Sequence, residues 1–136
     1  WYRAYDGEGR ETPMSAAPSW STLLYKPHGA VVPARNFLVA DSDYVEVLTE
    51  IDIQSPIPEE VKRRREGRGF LFLGCRFHDQ MLRTYARQIM KRSGGPHYAV
   101  FAPDHAFTKN EVKFLDEMAI TAIRLPLETI DDNLAA

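Results

Sequence analysis

A regular alternation of apolar and amphipathic segments begins at Gly69 and constrains the fold more than any other feature of the sequence. The run Phe70–Leu73 is continuously apolar, as is typical of a parallel strand covered on both faces. Tyr98–Ala102 and Ala119–Leu125 follow as two further strands. The segment after the first strand places apolar residues at helical spacing: Met81, Leu82, Tyr85, Ile89 and Met90. This order of strand, helix, strand, helix and strand predicts an α/β fold with right-handed crossovers and a parallel sheet flanked by helices.

Local signals mark the ends of these helices. Asp79 is placed to cap the first helix, and Gly94-Gly95-Pro96 is placed to stop it. Thr108 and Glu111 have the spacing of a capping box, which predicts a second helix through about Met118.

The first half of the chain is less regular. Residues 1–20 form an irregular lead-in, in which glycines and prolines recur. Thr22–Lys26 is predicted to be a strand that delivers His28 to its end. Other predicted elements are two short β-prone pieces, Val31–Val32 and Phe37–Ala40, a helix from Asp41 to about Glu50, a helix from Pro58 to Gly67, and a last short helix over Glu128–Leu134.

Length and composition exclude several classes of protein. At 136 residues, with 44% hydrophobic residues, the chain fits one domain over residues 1–136 with a single core. The formal net charge of −2 does not favour nucleic-acid binding. The basic run Lys62–Arg68 is interpreted as a solvated helix end, whose dipole favours cations. No apolar run reaches the roughly 18–20 residues that span a bilayer, so no membrane partner is expected.

Cys75 is the only cysteine, which excludes disulfides within the chain and thiolate zinc clusters. His97 and His105 have no acidic neighbours at the spacing of zinc ligands. We therefore expect a cytoplasmic protein that binds no metal.

His28 is the best candidate for a catalytic residue. Pro27 stiffens the backbone before it, and Gly29 after it removes a side chain that would crowd an approaching ligand. The alternative is a structural histidine whose ring bonds a backbone carbonyl in a turn. The residues alone leave both interpretations open.

Gly74 and Cys75 stand at the carboxyl end of the first predicted parallel strand. Open α/β sheets bind ligands at this end, where the next helix presents free N–H groups to phosphate. The alternative for Gly74 is that it only relieves a tight turn. Cys75 could be a nucleophile, but without a recognisable basic partner it is better interpreted as a small buried apolar side chain.

Taken in order, three motifs resemble the latter part of a sirtuin-like domain. They are Tyr25-Lys26-Pro27-His28-Gly29, then Asp43-Tyr44, then Phe70-Leu71-Phe72-Leu73-Gly74-Cys75 with Asp79 and Arg83. The resemblance runs from about residue 22 to 128. It is closest to the zinc-free bacterial branch, where Lys-x-His-Gly, an Asp-Tyr helix and Leu-Phe-Leu-Gly-Tyr-Ser-x-x-Asp occur in that order. A Rossmann-like, sirtuin-type sheet is the fold that this implies.

The resemblance also implies roles for individual residues. The histidine of the sirtuin His-Gly motif acts as general base toward the nicotinamide ribose, and His28 matches it. The glycine that ends the later strand lines the dinucleotide cleft together with the small residues after it. Gly29, Gly74 and Cys75 are therefore the expected NAD-binding residues, with NAD as the substrate.

Two departures from the sirtuin pattern refine this expectation. The Gly-Ala-Gly phosphate loop and the Thr-Gln-Asn or Thr-Asn-Tyr-Asp strand end of sirtuins are absent. This implies that residues 1–136 are the C-terminal part of the domain, inactive alone, with the missing N-terminal part as a partner. The two Cys-x-x-Cys pairs of protein-deacylating sirtuins are also absent, which moves the interpretation from deacylation toward NAD hydrolysis.

Three functions follow from this comparison. The first is that the full-length protein hydrolyses NAD to nicotinamide and ADP-ribose, in the manner of a bacterial antiphage enzyme. The second is a non-catalytic sirtuin-like module that binds a nucleotide or a protein. The third, less favoured, is an NAD-dependent protein deacylase. A homo-oligomer is compatible with each of them.

Overall fold

Two short antiparallel hairpins lie in the first of the two units into which the chain divides, Trp1–Arg64. The computed structural model describes residues 2–40, 42, 57–126 and 128–129. The hairpins are formed by β1 (Ala4–Tyr5) with β2 (Glu11–Thr12), and by β3 (Gly29–Ala30) with β4 (Asn36–Phe37). A 3₁₀ helix covers Met14–Ser19, and helix α1 covers Glu59–Arg65.

The predicted irregular lead-in is ordered by an aspartate turn. One carboxylate oxygen of Asp6, Oδ1, accepts hydrogen bonds from the backbone N–H groups of Glu8 and Arg10, both at 2.9 Å. The second oxygen accepts from the Arg10 side chain, also at 2.9 Å. Asp6 therefore closes the β1–β2 hairpin, as aspartate side chains do in turns of this kind.

The predicted strand over Thr22–Lys26 is wrong, because residues 22–26 form neither helix nor strand. The next strand pairing after β1–β2 comes beyond His28, where Gly29 pairs with Phe37. Leu24 is 77% exposed, so the apolar residues of this segment do not form one buried face. The predicted helix after Pro58 is confirmed, and Gly67 follows its end with a φ of +67°, in the left-handed region.

Three parallel strands form the sheet of the second unit, Arg65–Ala136, and confirm the predicted Rossmann-like α/β fold. The strands are β5 (Leu71–Leu73), β6 (His97–Phe101) and β7 (Ile120–Arg124), hydrogen-bonded in the order β5-β6-β7. Helix α2 (Gln80–Met90) connects β5 to β6, and helix α3 (Lys109–Glu117) connects β6 to β7. The observed ends differ from the predicted ones by one or two residues.

Both helix starts have the predicted caps. The Asp79 carboxylate accepts from the backbone N–H of Met81 at 2.6 Å. Thr108 and Glu111 form the reciprocal capping box. Of the other predicted helices, Asp41–Glu50 lies outside the described residues except for Ser42, and Glu128–Leu134 lies outside them except for Glu128 and Thr129.

One hydrophobic core holds this unit together on a single face of the sheet. Phe77, in the loop between β5 and α2, lies at its centre, with ring centroids 5.4 Å from Phe72 and 4.9 Å from Phe114. The remaining buried members of the core come from both helices and from strands β6 and β7: Ala86, Met90, Ala99, Phe101, Leu115 and Ile120.

The prediction that Phe70–Leu73 is covered on both faces is wrong. Phe72 is buried, but Leu71 is 56% exposed and Leu73 is 43% exposed. Because the strand order follows the chain and βαβ crossovers share one hand, consecutive crossovers place both helices on the same face. Among the described residues of this unit, no helix packs on the face that carries Leu71 and Leu73.

Candidate functional site

His28 lies where an irregular segment meets the β3–β4 hairpin. The carbonyl oxygen of Lys26 accepts the N–H of Gly29 at 3.1 Å, which turns the chain at Pro27 and His28. The carbonyl oxygen of His28 accepts the N–H of Leu38 at 3.0 Å, one residue beyond strand β4. The backbone of His28 is thus tied to the β3–β4 hairpin.

The imidazole belongs to the wall of a cavity of about 880 Å³ in the first unit. This volume is within the range of roughly 300–1,000 Å³ that is typical of small-molecule sites. Aromatic rings are frequent in the wall, and two cations, Arg3 and Lys26, contribute to it. The aromatic members are Tyr2, Tyr5, Trp20, Tyr25 and Phe37.

The lining also contains one carboxylate, Asp6. Aromatic faces stack on flat heterocycles such as nucleobases, and arginine and lysine neutralise phosphate.

Burial lowers the pKa of His28 below its ordinary value. The imidazole is half-buried, and a low-polarity environment disfavours its charged form. At neutral pH, the neutral ring therefore predominates, and a neutral imidazole can accept a proton. This is the state that a general base requires.

Gly29 has a structural explanation that the sequence did not suggest. Its φ is +82°, in the left-handed region that favours glycine. A Cβ atom at this position would collide with the carbonyl oxygen of Asn36 and would lie 2.8 Å from the Cα atom of Phe37. The close approach of strand β4 therefore requires glycine here, whatever a ligand requires.

Gly74 and Cys75 follow strand β5 in the second unit, at its carboxyl end as predicted. Gly74 has a φ of +67°, and a Cβ atom there would meet nothing within 4 Å. Its conformation favours glycine, while the space beside it is open. Burial raises the pKa of the Cys75 thiol, whose sulfur lies 3.6 Å from the carbonyl oxygen of Leu73. A thiol with a raised pKa is a poor nucleophile.

Arg83 holds the loop that follows these two residues. Its guanidinium donates to the carbonyl oxygens of Phe77 and His78, both at 2.6 Å. Asp79, with which it could have paired, caps helix α2 instead.

The structure also gives roles to two histidines that the sequence left without one. His97 is buried, and its Nδ1 accepts the backbone N–H of Phe70 at 3.1 Å. His105 lies with Nε2 3.3 Å from a carboxylate oxygen of Glu111. The capping box identified Glu111 as a structural residue, but no local pattern indicated that His105 would fold back onto it.

Hydrogen bonds from Thr108 and the nearby His105 outweigh the effect of burial on Glu111. Burial would raise the pKa of this carboxyl group, and these contacts lower it below its ordinary value. Arg124, at the end of β7, donates to the carbonyl oxygens of Pro103 and His105 at 2.7 and 3.0 Å. This cluster therefore orders the loop between β6 and α3.

Within the described ranges, no three histidine, cysteine, aspartate or glutamate side chains are grouped so that they could hold a metal ion. In the same part of the chain, no helix combines the length and apolar character needed to cross a bilayer.

In a comparison with protein families, the family model described as the SIR2-like domain matches residues 2–123, which include the His28 cavity and the parallel sheet except for its last residue, Arg124. No curated protein and no solved structure matches the chain.

Proposed function

Since this chain belongs to the SIR2-like domain family, we propose that it carries the catalytic histidine of an enzyme that hydrolyses NAD to nicotinamide and ADP-ribose. Membership establishes a sirtuin-like, NAD-related module; the hydrolytic activity and a role in bacterial antiphage defence belong to the proposal. The observation that carries it is the position of His28, half-buried in the wall of a large cavity with a pKa lowered by burial.

The reaction needs one proton acceptor. The bond between the nicotinamide nitrogen and C1′ of the ribose breaks, and nicotinamide leaves with the bonding electron pair. A water oxygen forms the new bond to C1′, and one proton is released. The neutral imidazole of His28 would accept that proton, or the proton of a ribose hydroxyl group, as a general base. Enclosure in the cavity would strengthen the electrostatic interactions that stabilise the positively charged ribose.

Gly29, Gly74 and Cys75 are proposed as residues that contact NAD. For Gly74 and Cys75, the support is their place after β5, at the end of a parallel sheet where α/β proteins bind ligands. For Gly29, the support is its place beside His28 in the cavity wall. The sequence lacks the Gly-Ala-Gly loop of sirtuins, so we propose that the phosphates are held by a further part of the same domain.

The test is the substitution of His28 in the full-length protein. His28→Ala should lower the rate of nicotinamide release by roughly 10²–10⁴-fold, the usual contribution of a positioned general base. His78→Ala is a matched control, because His78 is an exposed histidine outside the cavity. It should leave the rate unchanged.

Thermal unfolding of both variants separates catalysis from folding. An unchanged rate in His28→Ala would remove His28 from the mechanism, and a lost rate with a collapsed transition would indicate a structural histidine.

The absent sirtuin loop favours one second candidate, a module that binds a nucleotide without cleaving it. Calorimetry that detects NAD binding by a wild-type protein that releases no nicotinamide would select that alternative.

A further inference from the structure

The side chain of Arg64, in helix α1, donates hydrogen bonds to four other residues of the first unit. Its Nε donates to a carboxylate oxygen of Glu60 at 2.6 Å. One terminal nitrogen donates to the carbonyl oxygens of Ala17, at 3.0 Å, and of Trp20. The other donates to the carbonyl oxygen of Ser21 at 3.3 Å. A single guanidinium thus joins helix α1 to backbone atoms more than 40 positions earlier in the sequence.

These three carbonyl groups lie at the C-terminal end of the 3₁₀ helix and immediately after it. The carbonyl oxygen of Ala17 also accepts the N–H of Trp20 at 3.1 Å, so Arg64 adds a second donor there and places a cation at a helix end, where the helix dipole favours positive charge. Arginine suits this role because its planar group presents several donors in a fixed geometry. Hydrogen bonds from a charged donor are also stronger than those between neutral groups.

Glu60 keeps the guanidinium of Arg64 in place. Its side chain is only 8% exposed, and hydrogen bonds from Arg63 and Arg64 lower its pKa to about 2, so it is ionised at neutral pH. Arg63 donates to the same carboxylate at 2.7 and 2.9 Å, but its side chain is 63% exposed. Arg63 is therefore a second ion-pair partner of Glu60 that faces solvent, whereas the side chain of Arg64 is only 24% exposed.

The chain continues from these carbonyl groups through residues 22–26 to His28. Residues 22–26 are neither helix nor strand, so regular backbone pairing does not fix their path. Trp20 and His28 both line the cavity, and Val61 of helix α1 lines it as well. The position of the helix and the start of the segment are thus set by the same guanidinium.

We propose that Arg64, oriented by Glu60, is the positioning residue for His28: it anchors the segment that begins at Ser21 and so maintains the cavity wall in which the imidazole lies. The proposal deepens the proposed function and rests on it for its consequences in catalysis. Arg64 is not among the residues that line the cavity, so it acts through the segment that it holds.

The first test measures the ionisation of His28 by NMR titration in the full-length protein labelled at the histidine rings. The His28 signal is assigned as the one that disappears in His28→Ala. In Arg64→Gln the segment is released and the ring becomes more hydrated, so its pKa should rise toward the ordinary 6.5. Arg63→Gln, which removes an ion-pair partner of Glu60 but no carbonyl contact, should leave the His28 titration as it is in the wild type.

The second test measures nicotinamide release. Arg64→Gln should lower the rate at least tenfold in the wild-type background and have no further effect in His28→Ala, since residues that act as one unit are not additive. Arg64→Lys keeps the charge and one donor group, so it should restore part of both the rate and the His28 titration. Circular dichroism confirms that each variant is folded.

The outcomes separate this inference from the proposed function. An unchanged His28 titration in folded Arg64→Gln overturns the positioning role even if the wild type cleaves NAD. A shifted titration in a protein that does not cleave NAD upholds the positioning role and overturns the proposed function. If Arg64→Gln and Arg64→Lys both unfold, Arg64 is a general stability residue and the inference is wrong.

Discussion

Replacement of Gly29 by alanine tests whether this glycine serves the hairpin or the ligand. Two costs can be estimated from the structure. The φ of +82° is unfavourable for alanine by roughly 1–3 kcal/mol. The new Cβ would also collide with the backbone of Asn36, and backbone atoms cannot move aside without separating β3 from β4.

Loss of one or two ladder hydrogen bonds would add about 0.5–1.5 kcal/mol for each bond. Gly29→Ala should therefore lower the free energy of unfolding of the first unit by about 1.5–6 kcal/mol in total. Gly7→Ala is the matched control in the same unit. A Cβ atom at Gly7 would meet nothing within 4 Å, so its effect should stay within about 0.5 kcal/mol.

Urea denaturation followed by tryptophan fluorescence measures this difference. Both tryptophans of the chain, Trp1 and Trp20, belong to the first unit, so their emission reports on that unit. Equal stability of Gly29→Ala and Gly7→Ala would refute the argument from strand pairing. If Gly29→Ala is as stable as the control but binds NAD more weakly, ligand access explains the glycine instead.

Two further predictions concern the second unit. Gly74→Asn should be more stable than Gly74→Ala by about 1 kcal/mol in thermal unfolding, because asparagine tolerates a positive φ and the space there is open. Equal stability of the two variants would show that the φ of residue 74 is not the constraint. Glu111 has a lowered pKa in the folded state, so its contribution to stability is complete above the unfolded pKa of about 4.5 and is lost as the pH falls through the folded value. In Glu111→Gln, the free energy of unfolding should therefore fall less than in the wild type as the pH is lowered below 4.5, as measured by circular dichroism. An unchanged pH dependence would contradict this assignment.

The elements of the second unit could be predicted because their signals are local. Asp79 and the Thr108–Glu111 pair cap the helices whose starts they predicted. The parallel pairing of the three strands follows from the alternation of strands and helices, which leaves few other topologies. The exposure of Leu71 and Leu73 could not be predicted in the same way, because an apolar run does not indicate which of its faces the crossover helices will cover.

The contacts around His28 could not be predicted because they join residues distant in sequence. A strand over Thr22–Lys26 was compatible with its residues, but a strand also needs a partner, and the nearest pairing is between β3 and β4. Arg64 was one cation in a basic run interpreted as a solvated surface. Only the fold shows that it contacts carbonyl groups at Ala17, Trp20 and Ser21.

The positions of His28 and Gly29 depend on different contacts. Gly29 permits β3 and β4 to approach, and that approach holds the backbone of His28 through the hydrogen bond from Leu38. On the other side of His28, Arg64 holds the chain at Trp20 and Ser21. His28 lies between these two attachments in the sequence. Backbone contacts on both sides therefore help to hold its imidazole half-buried in the cavity wall.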